Sequence, residues 1–214
     1  MSRLPEDLDR ILHDLRGPLN ALAMHAEVLK RAVREPAEAE SVRMIQQEIE
    51  RLAEMLAAAM HVVAIERRES LRVSLRAVVE RAVADARLTD VVLAARDEWP
   101  DVVGDPTLLT RATAELLRNA IDATQAAGQG TPPPEVSAQR EPDGMAALVV
   151  RDHGAGFRST NPKVLVRLRP SARPGHQGVG LVTAERIARL HGGRLRFTAP
   201  GAGAQATLLI PAAE

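Results

Sequence analysis

Four short stretches of the chain combine residue types and spacings that can do chemistry. In HDLRGPLNAL (13–22), His13 stands beside Asp14. An imidazole becomes an effective nucleophile when a carboxylate fixes its tautomer, raises its basicity and accepts its proton. In ELLRNAIDA (115–123), Glu115, Asn119 and Asp122 recur at steps of four and three, which puts their oxygens on one helical face. Such a face suits a hard Mg²⁺ ion that keeps some of its waters and bridges to phosphates. In RDHGAGF (151–157), Asp152 ends an apolar run and Gly154 and Gly156 follow in a D-x-G-x-G pattern. A carboxylate fixed at a strand end can accept from an exocyclic amine, and the glycines let the backbone pass close to a ligand or act as hinges. In GHQGVGL (175–181), Gly178 and Gly180 lead into a helical pattern, where backbone N–H groups can meet a phosphate. Each stretch alone also fits a plain alternative: a solvated histidine, an ordinary i, i+4 pair, a glycine turn, a loop before a helix.

The elements that must position these residues follow from periodicity. Apolar residues fall at Leu8, Leu12, Leu15, Leu19, Leu22, Ala26, Leu29 and Val33, alternating steps of four and three. That is a heptad seam. His13 follows Leu12 and so points about 100° away from the stripe, toward solvent. Pro18 removes the hydrogen bond to the carbonyl of Asp14 and should kink the helix beside the histidine. The pattern stops at Glu35 and Pro36, then resumes at Val42, Ile45, Ile49, Leu52, Leu56, Ala59 and Val63. Two long helices with a short connection pack antiparallel, and one hairpin cannot cover both seams, so a dimeric four-helix bundle is expected.

Beyond residue 70 the spacing predicts a helix over 73–87, a strand over 90–96 and a long helix starting at Pro106. A hairpin turning at Pro142, Asp143 and Gly144 follows, then a glycine-, proline- and arginine-rich stretch, a helix over 179–193 and a closing hairpin over 194–210. The expected fold is α+β: a helical hairpin over residues 1–68, then an α/β sandwich with a mixed sheet over 69–214. Composition limits the partners. Only 1% of residues are aromatic, namely Trp99, Phe157 and Phe197, too few for a base- or sugar-stacking platform. Lys plus Arg and Asp plus Glu both total 28, so no overall field attracts nucleic acid. The absence of cysteine excludes disulfides, thiolate metal sites and thiol nucleophiles. No apolar run approaches the roughly 20 residues of a membrane helix, and the N-terminus shows no signal-peptide pattern, so a cytoplasmic protein is expected.

Taken in order, HDLRGPL, ELLRNAIDA, DHGAGF and GVGL, with a trailing RLHGG and GAGAQATLLIP, resemble a sensor histidine kinase catalytic core along nearly the whole chain. The resemblance implies a dimerisation and phosphoacceptor hairpin, joined to an ATP-binding domain of the gyrase, chaperone, histidine kinase and mismatch-repair superfamily. It implies that His13 takes the γ-phosphoryl group of ATP with Asp14 as general base, and that the phosphoryl group passes to an aspartate on a response regulator receiver domain. It places Glu115, Asn119 and Asp122 on the cofactor face, with Asn119 holding Mg²⁺. Asp152 would meet the adenine amine, and Gly154 and Gly156 would flank its pocket. Gly178 and Gly180 would meet the phosphates, and Arg173 in SARP matches a family lysine. Residues 67–70 would be the hinge.

Four departures stand out. Gly17 occupies the place of a Thr or Asn that orients water for dephosphorylating the regulator. Glu115 stands where Asn is common, which raises the prospect of ATP hydrolysis. His176 replaces a usual glycine, and the lid over 158–177 has no aromatic, so the usual phenylalanine latch is not expected. With His13 so near Met1, either a sensor protein acts in trans or the chain is excised from a longer one. One rival is a histidine phosphotransfer protein, a passive relay with a degenerate ATP pocket. A second is a partner-binding ATPase resting on Glu115. His25, His61 and His191 lie outside the phosphoacceptor motif and are set aside.

Overall fold

The computed structural model describes residues 14–15, 17–18, 20–22, 24–25, 27–28, 35–89, 91–94, 98–157, 159–167 and 178–214. His13, Arg173 and His176 lie outside them. The chain divides into two compact units, one reaching to Ala64 with Arg167–Val179, the other comprising Ile65–Val166 and Gly180–Glu214.

In the first unit the described residues between 14 and 28 are helical, and helix α1 spans Glu35–Val63 with Pro36 in its first turn. The heptad seam of α1 divides into two rows. Ala59 is buried, and Ile45 and Leu52 are half-buried. On the alternate row, Val42, Ile49 and Leu56 remain 43%, 52% and 53% exposed. Apolar residues at seven-residue steps left in water are the uncovered half of a coiled-coil-like seam.

In the second unit the predicted helix from Pro106 is α3, Pro106–Ala127, and its limits have local causes. Asp105 caps it by accepting from the N–H groups of Thr107 and Leu108, Pro106 sits where a missing N–H costs nothing, and Gly128 closes it at φ 100°. Helix α2, Leu75–Asp85, is capped by Ser74. A short helix α4, Pro162–Leu165, follows the D-x-G-x-G stretch, and α5 spans Gly180–Leu190. The five-stranded sheet runs in the order β2, β4, β5, β7, β6, formed by Val92–Leu93, Glu135–Arg140, Met145–Arg151, Gln205–Pro211 and Arg194–Thr198 respectively. Only the β2–β4 pair is parallel, so the sheet is mixed as expected. Its alternation is clear in β5: Ala146, Leu148 and Val150 face the same way as Val136, Ala138, Leu208 and Ile210, all buried, as are Leu109, Leu116 and Leu117 of α3 and Ile187 of α5.

Two strands were absent from the sequence-based expectation. β1, Leu71–Ser74, and β3, Asp101–Gly104, pair antiparallel in a small separate sheet. β1 therefore occupies the start of the predicted 73–87 helix, and Ser74 ends the strand while capping α2.

His191 ties this unit together. Its Nδ1 donates to the Ile187 carbonyl at 2.7 Å, and its Nε2 accepts from the Asp105 backbone N–H at 2.9 Å. A carbonyl only accepts and an N–H only donates, so both bonds require the neutral Nδ1–H tautomer. A Cβ on Gly104 would come within 2.7 Å of the ring, so glycine is needed there. Burial pushes the imidazole below its ordinary value, aided by Arg67 and opposed by the Ile187 carbonyl and Asp105. The unfolded chain thus takes up a proton first as pH falls below about 6.5, and binds more protons than the folded state in that window. Stability should fall from near neutral pH downward by up to about 1.4 kcal/mol per pH unit from this one group. Melting temperatures between pH 7 and 5 should drop more steeply for the wild type than for His191→Phe; equal slopes would refute the assignment.

Candidate active site

Three elements of the second unit converge on one cavity of about 310 Å³. α3 contributes Leu116, Asn119, Ala120 and Ala123, the end of β5 leads into Asp152, and α5 supplies Leu181. Ala155, Gly156 and Phe157 close one side, with Ala204 and Ala206 of the final hairpin behind. The many alanines leave a slot, apolar on its faces, with room for a planar ring.

Asp152 is the polar group fixed deepest in this wall, at 6% exposure. Its Oδ1 accepts from the backbone N–H of Gly154 at 2.9 Å and of Ala204 at 3.1 Å. Oδ2 has no hydrogen-bond partner among the described residues and is left for a donor in the cavity. The backbone conformation around it depends on missing side chains. A Cβ on Gly154 would come within 2.6 Å of the Ala123 carbonyl oxygen, one on Gly203 would collide with the Asp152 carbonyl, and Gly156 has φ 74°.

Asn119 lines the same cavity, and its carboxamide has no hydrogen-bond partner among the described residues. Of the three α3 candidates, Glu115 and Asn119 face the start of α5 together, where a Cβ on Gly180 would meet Glu115 Oε2 at 2.7 Å and Asn119 Nδ2 at 3.6 Å. Glu115 Oε1 accepts from Arg118 at 2.9 Å. Asp122 does not line the cavity. Gly154 shapes the cavity through its N–H without lining it, whereas Gly156 lines it directly. Gly178 has φ 66°, a conformation that favours glycine. Asp14 is helical and half-buried, Gly17 is exposed, and a Cβ on Gly17 would meet nothing within 4 Å, so space does not dictate glycine there.

Sequence reasoning passed over Ala204 and Gly203, because one acts through its backbone N–H and the other through an absent Cβ. The GAGAQ run before β7 was the available signal. The lid over 158–177, in which no aromatic latch is expected, lies largely outside the described residues. Just before it, Phe157 packs edge-on against Phe197 of β6, with ring centroids 5.4 Å apart at 86°. An edge-to-face pair of this kind contributes about 0.5–1.5 kcal/mol beyond its burial, and here it anchors the residue that follows the cavity glycines.

The residues present fit a magnesium nucleotide. Among the described residues no group of three or more His, Cys, Asp or Glu side chains could hold a metal ion alone. An ion at Asn119 would therefore complete its shell with phosphate oxygens and water, the habit of Mg²⁺.

A mixed-sheet sandwich with an apolar slot, a buried carboxylate at its end and a separate helical unit ahead of it defines the class: a nucleotide-binding ATPase domain behind a helical domain. The chain belongs to the family described as histidine kinase-, DNA gyrase B-, and HSP90-like ATPase, whose model matches residues 104–214, more than half of the chain. Residues 8–78 match the His Kinase A (phospho-acceptor) domain, so the two together make a histidine kinase catalytic core. The chain is 24% identical over 219 residues to the signal transduction histidine-protein kinase AtoS of Escherichia coli K12, covering 99% of this chain and 35% of that protein. It is 27% identical over 210 residues to the sensory histidine kinase/phosphatase NtrB of Klebsiella oxytoca, covering 89% and 58% respectively. Its fold resembles the full-length ShkA crystal structure in complex with AMPPNP, with TM-score 0.56, 19% identity, and coverage of 98% of this chain and 46% of that one. The chain thus spans about a third to three fifths of the length of these relatives. No described helix is long and apolar enough to cross a membrane.

Proposed function

We propose that the protein is an ATP-dependent histidine kinase that phosphorylates itself on His13 and passes the phosphoryl group to an aspartate of a response regulator. The observation that carries this reading is the pairing, on one cavity, of the free Oδ2 of Asp152 with the unpartnered carboxamide of Asn119. The first suits an adenine amine and the second a phosphate-bound Mg²⁺, whose charge would offset the charge developing on the transferring phosphoryl group. His13 is then the nucleophile and Asp14 its orienting base, and the hinge lies at residues 67–70, between domains 1–68 and 69–214. Gly178, Gly180 and Arg173 serve the phosphates. Phosphoryl transfer asks a protein mainly for positioning and charge neutralisation, so two units joined by a connector are sufficient machinery.

The exposed row Val42, Ile49 and Leu56 supports a homodimer in which a second hairpin covers it. A passive relay would need a closed or broken pocket, and the open cavity beside intact Asn119 and Asp152 does not favour it. Incubation with Mg²⁺ and γ-labelled ATP should place acid-labile, alkali-stable label on the chain. Failure to bind ATP would sink the proposal, and hydrolysis without label would favour the ATPase reading.

Asn119→Ala should lower labelling by about 100-fold or more, the scale of losing one charge-stabilising group. Its oligomeric state by light scattering should not change. A monomeric variant would show that Asn119 serves structure instead.

A further inference from the structure

The Asp105 carboxylate accepts backbone N–H groups from two directions. Oδ1 takes those of Thr107 and Leu108, both at 3.1 Å, which is the cap of α3. Oδ2 takes those of Arg68 and Glu69, at 3.1 and 3.3 Å, from the connector that follows α1. Arg67 fastens the same connector: its Nη2 donates to Ser70 Oγ at 2.7 Å and to the Val103 carbonyl at 3.2 Å. A helix cap needs only one oxygen of the carboxylate. The other is committed to the connector.

Burial alone would raise the Asp105 carboxyl, but the N–H groups of Leu108, Arg68, Glu69 and Thr107 together hold it below its ordinary value. It is therefore a firm acceptor at neutral pH. The backbone N–H of the same residue donates to His191, whose ring also bonds the last turn of α5. One imidazole thus joins the start of α3 to the end of α5. These helices carry Asn119 and Leu181 into the cavity. Asn119 lies 14 residues beyond Asp105, about 21 Å along α3 at the helical rise. A packed helix passes on a displacement of its end.

We propose that Asp105 and His191 are positioning residues that couple the 65–70 connector to the nucleotide cavity. The connector, latched on Asp105 Oδ2, holds α3 and, through the His191 bridge, α5 in the arrangement that binds nucleotide. This inference rests on the nucleotide-binding reading above. Coupling of this kind is reciprocal: a nucleotide that prefers the latched form tightens the latch by the factor it gains in affinity.

The test uses the full chain with Mg²⁺ and a non-hydrolysable ATP analogue. The analogue should slow hydrogen exchange at the Arg68 and Glu69 amides at least about fivefold, the low end of allosteric couplings, and Asp105→Asn should weaken analogue binding by the same factor. Asn caps helices as well as Asp does. Its oxygen would turn to Thr107 and Leu108, presenting the amide N–H₂ group to Arg68 and Glu69, so the cap is kept and the latch is lost, with some fall in melting temperature from the opposed donors. His191→Phe keeps a ring of similar size, removes the bridge, and should weaken binding likewise. A purely structural role would lower melting without changing affinity. Unchanged affinity in Asp105→Asn, or connector amides indifferent to the analogue, overturns the coupling and leaves nucleotide binding standing. No binding by the wild type overturns both.

Discussion

His13→Gln is expected to bind ATP as the wild type does and to retain no label. The two results separate because every residue lining the nucleotide cavity belongs to the unit that begins at Ile65, while His13 belongs to the other. Glutamine keeps the polarity and approximate size of histidine but offers no nucleophilic nitrogen, since the amide lone pair is delocalised into its carbonyl. Label should therefore fall to background, not by a partial factor, because removing the nucleophile removes the covalent route itself. His25 and His61 provide the internal comparison. His61 bonds the carbonyl of Ala57 one turn back along α1, an ordinary helix-surface arrangement. His61→Gln and His25→Gln should label normally. Label that survives in His13→Gln and disappears in His25→Gln would move the acceptor.

The same comparison bears on Glu115. Its carboxylate accepts from Arg118 and lies against Gly180 at the start of α5, beside Asn119. If it activates water, wild-type protein should release phosphate faster than phosphohistidine turnover requires, and His13→Gln should still release it. Phosphate release that vanishes with His13 assigns Glu115 to charge pairing alone.

Local chemistry made much of this fold legible in the sequence. Asp105, Pro106 and Gly128 mark the ends of α3 through capping, ring geometry and a positive φ, all properties of single residues. Gly144 turns the β4–β5 hairpin at φ 81°, and the apolar run 145–150 then had to be a strand. β1 and β3 escaped because each is four residues long and exists through the other. Pairing of that range leaves no periodic trace. β2 is Val92–Leu93 among the described residues, paired with β4 there, and positions 90, 95 and 96 of the predicted strand lie outside them. Asp152 and Asn119 stand out in the sequence because of their side-chain chemistry, and both line the cavity. His191 was set aside as part of a helix-ending HGG, and it does lie in one: Gly192 and Gly193 close α5 with bonds to Arg189 and Ala188. Its second role depends on Asp105, which only the folded chain brings within 2.9 Å.

Asp152→Asn should exchange one purine for another, and the direction follows from the bonds already made. The N–H groups of Gly154 and Ala204 both point at Oδ1, and each requires an acceptor there. An asparagine at this position must offer them its carbonyl oxygen, because turning the other way would set three donors against each other in a buried site. The amide N–H₂ group is then forced into the cavity where Oδ2 had been. An adenine amine that met a carboxylate now meets a donor. Loss of a charge-assisted hydrogen bond costs about 1.5–3 kcal/mol, or roughly 10- to 100-fold in affinity, and the opposed donors add to it. A purine with a 6-oxo group in place of the amine gains what adenine loses. Competition binding should therefore show ATP weakened by about 100-fold, with inosine triphosphate preferred over ATP by the variant alone. The melting temperature should stay close to that of the wild type, because both wall bonds survive. A variant that binds weakly but still prefers ATP would mean that the carboxylate shapes the wall without touching the base. Asp152 would then act only through Gly154 and Ala204, and the adenine-reading group would have to be sought elsewhere along the slot.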